Sequence, residues 1–423
     1  MRLLAGTRPD RALTLVEHLA VHGPLRSRDS DMVDQIATAG LTGRGGGAFP
    51  LARKLRTAAA GRRRPVVVVN AAESEPASEK DAWLAARAPH LVVDGAVATA
   101  AAVGAGEVVL WVHRGASATV TALTAALEER RHLARREAAV RIVEGPDRYV
   151  AGEASAIVRH LSGGPALPTV SPHRTAERGV DGKPTVLANA ETFAHVALIA
   201  RHGAGWFRAV GTPDEPGTVL LTLRGAVHRP GVVEAAPGTP LPEILDLAGG
   251  PAAPLSALLV GGYGGSWLSW ADAATARLTR AGLDELGADL GVGLLLAFPA
   301  GRCPLAETER ITGWLAAEST GQCGPCINGL PALAGDVTAL VRGPCLDRLP
   351  DLVARLHRRA DLVTGRGACH HPDGTARLVR SALRVFAGHV EQHARSGRCP
   401  DLASSPVAPL PAHSPVATAG SWR

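Results

Sequence analysis

Lysine is nearly missing from this chain of 423 residues: of its 45 basic residues, only Lys54, Lys80 and Lys183 are lysine. Beside 48 glycines and much alanine, that is a compositional bias toward arginine, so the net charge of +6 says little about partners. Aromatic residues are scarce too, at 3%, and the longest basic run is Arg62–Arg63–Arg64. A nucleic-acid groove combines clustered charge with stacking platforms, so nucleic acid is not expected as a partner. No apolar run suits a bilayer span: Leu91–Val112 is broken by Asp94 and Glu107, and Leu290–Phe298 is too short. The start, MRLLAGTRPDRAL, lacks the apolar stretch and small-residue cleavage site of a secretory signal. Six cysteines in so long a chain do not make a disulfide scaffold. A cytoplasmic protein is expected, with thiols that act as metal ligands or redox groups. What the chain does have is bulk. It is 46% apolar, and at about 150 residues per domain its length implies roughly three domains.

Periodicity divides the chain into three textures. Between residues 65 and 145, strand-like runs (Val66–Val69, Val108–Val112, Val140–Val143) alternate with helix-like stretches (Leu91–Val103, Ala118–Arg136), the pattern of an open α/β sheet. From Thr218 to Leu268, short β-branched pieces separated by glycine and proline turns surround one helical segment, Leu241–Leu247. That predicts a small β-rich domain crossed by a helix. From Glu307 to His393 the period is helical, with Cys323, Cys326, Cys345 and Cys369 inside it. Domains are placed at residues 1–212, 213–292 and 293–395, followed by a Pro/Ala/Ser-rich tail over 396–423 that is expected to be disordered.

Chemistry concentrates in a few segments. Five of the eight residues from Gly40 to Gly47 are glycine, which lets successive backbone N–H groups approach an anion, with Arg44 and Lys54 as added charge. Gly43 to Ala48 fits G-x-G-x-x-A, but a helical stretch precedes it where a dinucleotide fingerprint needs a strand. A tight turn between helices is the plainer reading, but a turn needs one or two glycines rather than five, so a phosphate or cofactor cradle is expected. Asn70 to Glu75 follows a strand directly, where open α/β sheets bind ligands, and offers donors and acceptors for a heterocycle. Helix capping explains residues 76–81 but not Asn70 to Glu75. Arg148–Glu153 and Gly182–Thr192 repeat the strand–loop–helix character. Cys323-Gly-Pro-Cys326 with Cys369 reads as a metal or cluster site, since a thioredoxin-like pair needs a βαβ context that this helical region lacks. Cys303, Cys345 and Cys399 read by default as buried small hydrophobes or incidental thiols.

In this order, GRGGGAFP (Gly43–Pro50) with Lys54, NAAESEP (Asn70–Pro76) with Lys80 and Asp81, RYVAGE (Arg148–Glu153) and GKPTVLANAET (Gly182–Thr192) resemble one family. GGYGGSWL (Gly261–Leu268), ESTGQCGPC (Glu318–Cys326) and Cys369 to His371 continue the resemblance. The family is the FMN- and NADH-binding subunit of respiratory complex I, shared with diaphorase subunits of NAD-linked hydrogenases and formate dehydrogenases. It implies a Rossmann-like α/β domain binding FMN, a β-grasp (ubiquitin-like, SLBB) domain, and a helical bundle holding a four-iron, four-sulfur cluster. The implied activity is NADH dehydrogenase-like: electrons pass from NADH, or another donor, through FMN to the cluster and a redox partner. That partner would be a ferredoxin-like or thioredoxin-fold 2Fe–2S protein or a membrane redox subunit, with this chain cytoplasmic or peripheral on the inner membrane face.

Carried over position by position, the resemblance implies FMN contacts from Gly43, Arg44, Gly45, Lys54, Asn70, Glu73, Glu75, Tyr149, Gly152, Glu153, Asn189 and Thr192. It implies dinucleotide contacts from Phe49 and Glu75, and cluster ligation by Cys323, Cys326 and Cys369. No side chain is nominated as a general acid or base. The departures are Ala72 and Ala154 where the family has acids, Ala188 in place of an asparagine, Thr57 in place of an aromatic, and Thr320 in place of a cysteine. With three thiolates, the site could hold a three-iron cluster, or a four-iron cluster completed by Thr320, Cys345, His371 or an outside ligand. A Cys₃His zinc site or an empty one are the other readings. A redox-silent docking or assembly module, and a flavoprotein that does not use NADH, are the alternative functions.

Overall fold

The computed structural model describes residues 2–25, 31–131, 138–343, 346–396, 406–411 and 419–423. Four strands form the first sheet: β1 (Val66–Asn70), β2 (Glu107–His113), β3 (Ala139–Gly145) and β4 (Thr185–Asn189). All are parallel, in the order β3-β2-β1-β4. The four valines of β1 are buried, as befits a central parallel strand covered on both faces. The helix Pro89–Val103 packs on this sheet and against the helix Ala190–Arg208. The two come so close at Gly95 that a Cβ there would lie 1.7 Å from the Phe193 carbonyl oxygen.

After β3 the chain returns to the far side of β1 to lay down β4, so the strand order reverses between β1 and β4. In open α/β sheets that reversal opens a crevice beyond the carboxyl ends of the two strands. Asn70 and Asn189 are register partners at those ends. The sheet topology thereby brings together two segments that the sequence marks separately.

The second sheet holds β5 (Val219–Gly225), β6 (Gly231–Ala235), β7 (Leu255–Val260), β8 (Ser266–Ser269) and β9 (Leu294–Pro299), in the order β6-β5-β9-β7-β8. The crossing helix is Leu241–Leu247, as its periodicity predicts. Along β9, Leu295 and Ala297 face this helix, while Leu294, Leu296 and Phe298 face the helical bundle. A strand buried on both faces reads as an unbroken apolar run, which is why Leu290–Phe298 showed no alternation. Since β9 sits between β5 and β7, the sheet continues past residue 292, the expected edge of this domain.

Helices Pro304–Ala317, Leu330–Val341, Leu349–Val363, His371–Val385 and Ala387–Ser396 form the bundle around Leu315, Leu333, Leu356 and Leu378. Among the described residues no helix is long and apolar enough to cross a membrane. The tail departs from the expectation of disorder in its described parts. Backbone N–H groups of Val407 and Ala408 donate to Glu307 (3.1 and 3.0 Å), and Trp422 is buried under the Arg148 guanidinium, 5.2 Å from the ring centre. A few apolar residues with a buried carboxylate to bind are enough to anchor a proline-rich segment. The rest of residues 396–423, with Cys399, lies outside the described residues, as does Cys345.

Candidate functional site

Behind the crevice stands a buried charge network. Lys80, only 2% exposed, donates from Nζ to Asp81 Oδ2 (2.8 Å), Glu191 Oε2 (2.6 Å) and the Arg44 carbonyl (3.1 Å). Burial alone would lower the lysine pKa, but Asp81, Glu191 and Glu73 outweigh it and raise it, so the ammonium is firmly charged. Asp81 Oδ1 accepts from the Glu191 N–H (2.8 Å) and, with Oδ2, from Asn189 Nδ2 (2.9 and 3.0 Å). Thr192 donates its hydroxyl to Asn189 Oδ1 and accepts from the Arg44 N–H (2.9 Å). Glu73 accepts from the Asp81 N–H (3.0 Å), and its own pKa is pushed up to about 7 by burial and by Asp81. The network ties the glycine loop, the loop after β1 and the end of β4 into one rigid wall.

In front of that wall lies a cavity of about 470 Å³. Its lining includes Gly45, Gly46, Gly47, Asn70, Glu73, Glu75, Tyr149, Gly152, Glu153 and Asn189 from the first domain. Gly261, Gly264, Asp289 and Gly291 come from the second, and Cys369, His371, Gly374 and Arg377 from the third. Glycine is needed at Gly46, whose φ is +95° and where a Cβ would lie 3.1 Å from the Gly291 carbonyl oxygen. Gly264 and Gly374 let the second and third domains meet backbone to backbone, with a Cβ on Gly264 3.2 Å from the Gly374 Cα.

Glu75 is the chemically distinctive residue of the cavity. It is 3% exposed; Oε2 accepts from the Tyr263 N–H (3.1 Å) and the Tyr149 hydroxyl (3.5 Å), while Oε1 is buried with no partner. Burial pushes its pKa up to about 8. A buried carboxyl oxygen with no partner is costly unless a ligand meets it. Asn70 is held by donation from Nδ2 to the Gly152 carbonyl (3.0 Å) and acceptance from the Ala72 N–H (3.2 Å). Glu153 both lines the cavity and caps the helix Ala154–Leu161, accepting from Ser155 and Ala156 N–H (2.8 and 3.1 Å). A glycine cradle, a row of polar groups and an unpaired carboxyl oxygen, a donor when protonated and an acceptor when ionised, fit an FMN-sized ring system edged with carbonyl and N–H groups.

Several expected residues stand outside the lining. The Arg44 guanidinium, expected as a charged fork, is turned to the Pro216 carbonyl (3.0 Å), and burial lowers its pKa. Lys54 donates to the Leu187 carbonyl (2.6 Å) and so braces β4. Gly43 closes the glycine loop by donating to the Phe49 carbonyl (3.0 Å). Phe49 is flanked by the Arg53 and Arg174 guanidinia, 5.7 and 5.4 Å from its ring centre. Sequence reasoning missed Glu191 as a partner of Lys80, and also missed the walls from Asp289, Gly291, Gly374 and Arg377. It missed His113 as well, whose Nδ1 meets the Pro146 carbonyl (2.9 Å) and whose Nε2 meets the Ser74 hydroxyl (3.0 Å). The only available signal was the position of His113 at the end of a strand.

The thiol site adjoins the cavity through Cys369. Cys326 is buried on the short π-helix Pro325–Gly329, and Thr320 Oγ1 lies 3.8 Å from its sulfur. Burial, then Cys323, raises the Cys326 pKa; burial pushes Cys369 up to about 12, with Cys326 and Cys323 close enough to add to it. Cys303 is elsewhere, its sulfur 3.4 Å from His393 Nε2. Among the described residues no three His, Cys, Asp or Glu side chains converge as they would around a single metal ion, which leaves the Cys₃His zinc reading without support. A four-iron cluster takes four thiolates. The described donors here are three thiols and a threonine hydroxyl, so the fit to that cluster is incomplete.

Comparison with known proteins gives three family matches along the chain. Residues 36–198 match the Nuo51 FMN-binding domain, 220–262 the SLBB domain, and 306–393 the NADH-ubiquinone oxidoreductase-F iron-sulfur binding region. The NADH-quinone oxidoreductase F-subunit of Streptomyces coelicolor is 32% identical over 387 residues, covering 88% of this chain and 84% of that protein. The Mycobacterium tuberculosis protein of the same name is 32% identical over 403 residues, covering 90% and 88%. Among solved structures, an NAD+-reducing NiFe-hydrogenase in the H2-reduced state matches with a TM-score of 0.81 and 28% identity, over 92% of this chain and 67% of that chain.

Proposed function

Because the chain belongs to the family of NADH-quinone oxidoreductase F-subunits, we propose that it is a flavoprotein electron-transfer subunit, passing electrons from NADH through FMN to an iron–sulfur cluster and on to a redox partner. FMN, when bound, supplies the ability to accept electrons in pairs and release them singly, and that chemistry is the cofactor's own. The chain's part is placement and electrostatics. Gly45, Asn70, Glu73, Glu75, Tyr149, Gly152, Glu153 and Asn189 hold the flavin, while Gly43, Arg44, Lys54 and Thr192 brace the wall behind it. Glu75 is protonated at neutral pH, so Oε1 can donate to a carbonyl oxygen there, and above about pH 8 the same atom only accepts. Phe49 and Glu75 are the dinucleotide contacts. The partner is an iron–sulfur protein of ferredoxin-like or thioredoxin fold or a membrane redox subunit, through which the chain sits peripherally on the inner membrane face.

One observation carries this reading: Glu75 and Cys369 line the same cavity, so a donor-side residue and a cluster-side thiol face one space without any domain movement. The test is anaerobic purification followed by NADH. Yellow-brown protein whose flavin bands bleach with NADH supports the proposal. Bleaching by dithionite alone would keep the electron-transfer role and remove NADH as donor. Colourless protein that takes up no added FMN would reduce the chain to a docking module, a reading that Thr320 in the cluster motif otherwise favours.

A further inference from the structure

We infer that His113 locks the Ser74 hydroxyl as a hydrogen-bond acceptor, and that Ser74 reads an N–H on the amide or imide edge of the ligand in the cavity. The inference rests on the proposed flavin and dinucleotide site and adds a positioning residue to it. Ser74 lines that cavity, directly before Glu75. Its polarity follows from the His113 ring. Nδ1 of that ring lies 2.9 Å from the Pro146 carbonyl, which can only accept, so Nδ1 carries a proton. The ring is 5% exposed at the end of β2, and burial lowers its pKa, although the Pro146 carbonyl and Asp147 act to raise it. At neutral pH the imidazole is therefore uncharged and Nε2 holds a lone pair. Ser74 Oγ, 3.0 Å from Nε2, must then donate its only proton to the ring. What remains for the cavity is lone pairs alone.

A serine hydroxyl free to rotate serves as donor or acceptor and tells few ligands apart. Held by His113, it favours a ligand N–H and leaves a ligand carbonyl facing a lone pair. Gly152 makes room for this arrangement, because a Cβ there would collide with Ser74 Oγ. Glu75 has the opposite character, since its carboxyl keeps its proton at neutral pH and Oε1 is left to donate. Adjacent residues thus offer one acceptor and one donor to the same space, the complement of a carbonyl beside an N–H. The isoalloxazine imide and the nicotinamide carboxamide both carry that pair of groups.

The test titrates the full chain at pH 7 with two pairs of ligands. The first is FMN against 3-methyl-FMN, read by flavin fluorescence. The second, on FMN-loaded protein, is NAD+ against its 3-acetylpyridine analogue, read by calorimetry. Each analogue keeps the carbonyls and lacks the N–H. The ring that meets Ser74 should bind about tenfold more tightly than its analogue, as expected for one hydrogen bond. A preference in the first pair assigns the flavin, and in the second the nicotinamide. These wild-type titrations stand without any variant. Ser74→Ala should bring the parent ligand down to the level of its analogue and leave the analogue unchanged. His113→Phe should shrink the preference, yet have no further effect on it in the Ser74→Ala background. His113→Gln, whose amide oxygen can take the Ser74 proton, should restore it. Full preference in His113→Phe would overturn the lock. Equal affinities within both pairs in wild type would overturn the inference and leave the flavin reading standing. So would an analogue that gains affinity in Ser74→Ala, which marks a clash rather than a missing hydrogen bond. Failure to bind either FMN or NAD+ would overturn the flavin reading and the inference with it.

Discussion

The cavity beyond β1 and β4 and the thiol site beside Thr320 share a wall at Cys369, yet they are held by different physics. The cavity rests on a charge network in which Lys80, Asp81, Asn189 and Glu191 each have more than one partner. The thiol site rests on a loop with exposed residues, and its donor set is one short. Losing a member of a buried network strands its partners in a low-dielectric interior, whereas losing one ligand on an open loop exposes a metal to water. The first kind of site resists sequence drift, and the second accepts it at the cost of a labile cofactor.

If that comparison is right, the largest effect belongs to Lys80→Met, which leaves Asp81 and Glu191 buried without their cation. Its cost should be roughly 3–5 kcal/mol in urea unfolding, with loss of FMN binding. A cost below about 1 kcal/mol would show that the network is not what holds the cavity. Glu75 gives the next effect, through pH. Its carboxyl keeps its proton in the folded state up to about pH 8, against an ordinary value of 4.5, so unfolding releases a proton between those values. Its stabilising share is complete below about pH 4.5 and is lost as pH rises through 8. Glu73, pushed up to about 7, acts with the same sign. Stability should fall across that window, and Glu75→Gln should flatten the fall by on the order of 3 kcal/mol.

Gly46→Ala comes third. With φ at +95° and a Cβ placed 3.1 Å from Gly291, it should cost about 1–2 kcal/mol and weaken FMN binding about tenfold, as read by fluorescence titration. Thr320→Cys should have the smallest effect on folding, within about 0.5 kcal/mol, because the site is half-exposed and the two side chains are close in size. A large folding effect there, or none at Gly46, would erase the contrast between the two sites.

Local signals made much of this legible. The valine run of β1, the helix Leu241–Leu247 and the glycine loop all follow from residue type and period, and Asn70 to Glu75 from its place after a strand. The three-texture division came from the same source. What stayed hidden depends on distant partners. Nothing near Arg44 says that its guanidinium will meet Pro216, and nothing near Lys80 points to Glu191, a residue set beside it only by the reversal of strand order at β4. The backbone approach of Gly264 to Gly374 joins two domains and leaves no periodic trace. Leu290–Phe298 hid a strand because both its faces are covered, and the anchoring of Trp422 rests on Arg148, far away in the chain.

The central claim, an intact flavin cavity beside a thiol site one donor short, is tested most directly by FMN and iron content per chain in anaerobically purified protein, before and after chelation. The expected result is FMN held at an unchanged level while part of the iron is lost. FMN absent from the start, or iron fully retained with FMN lost, would contradict it.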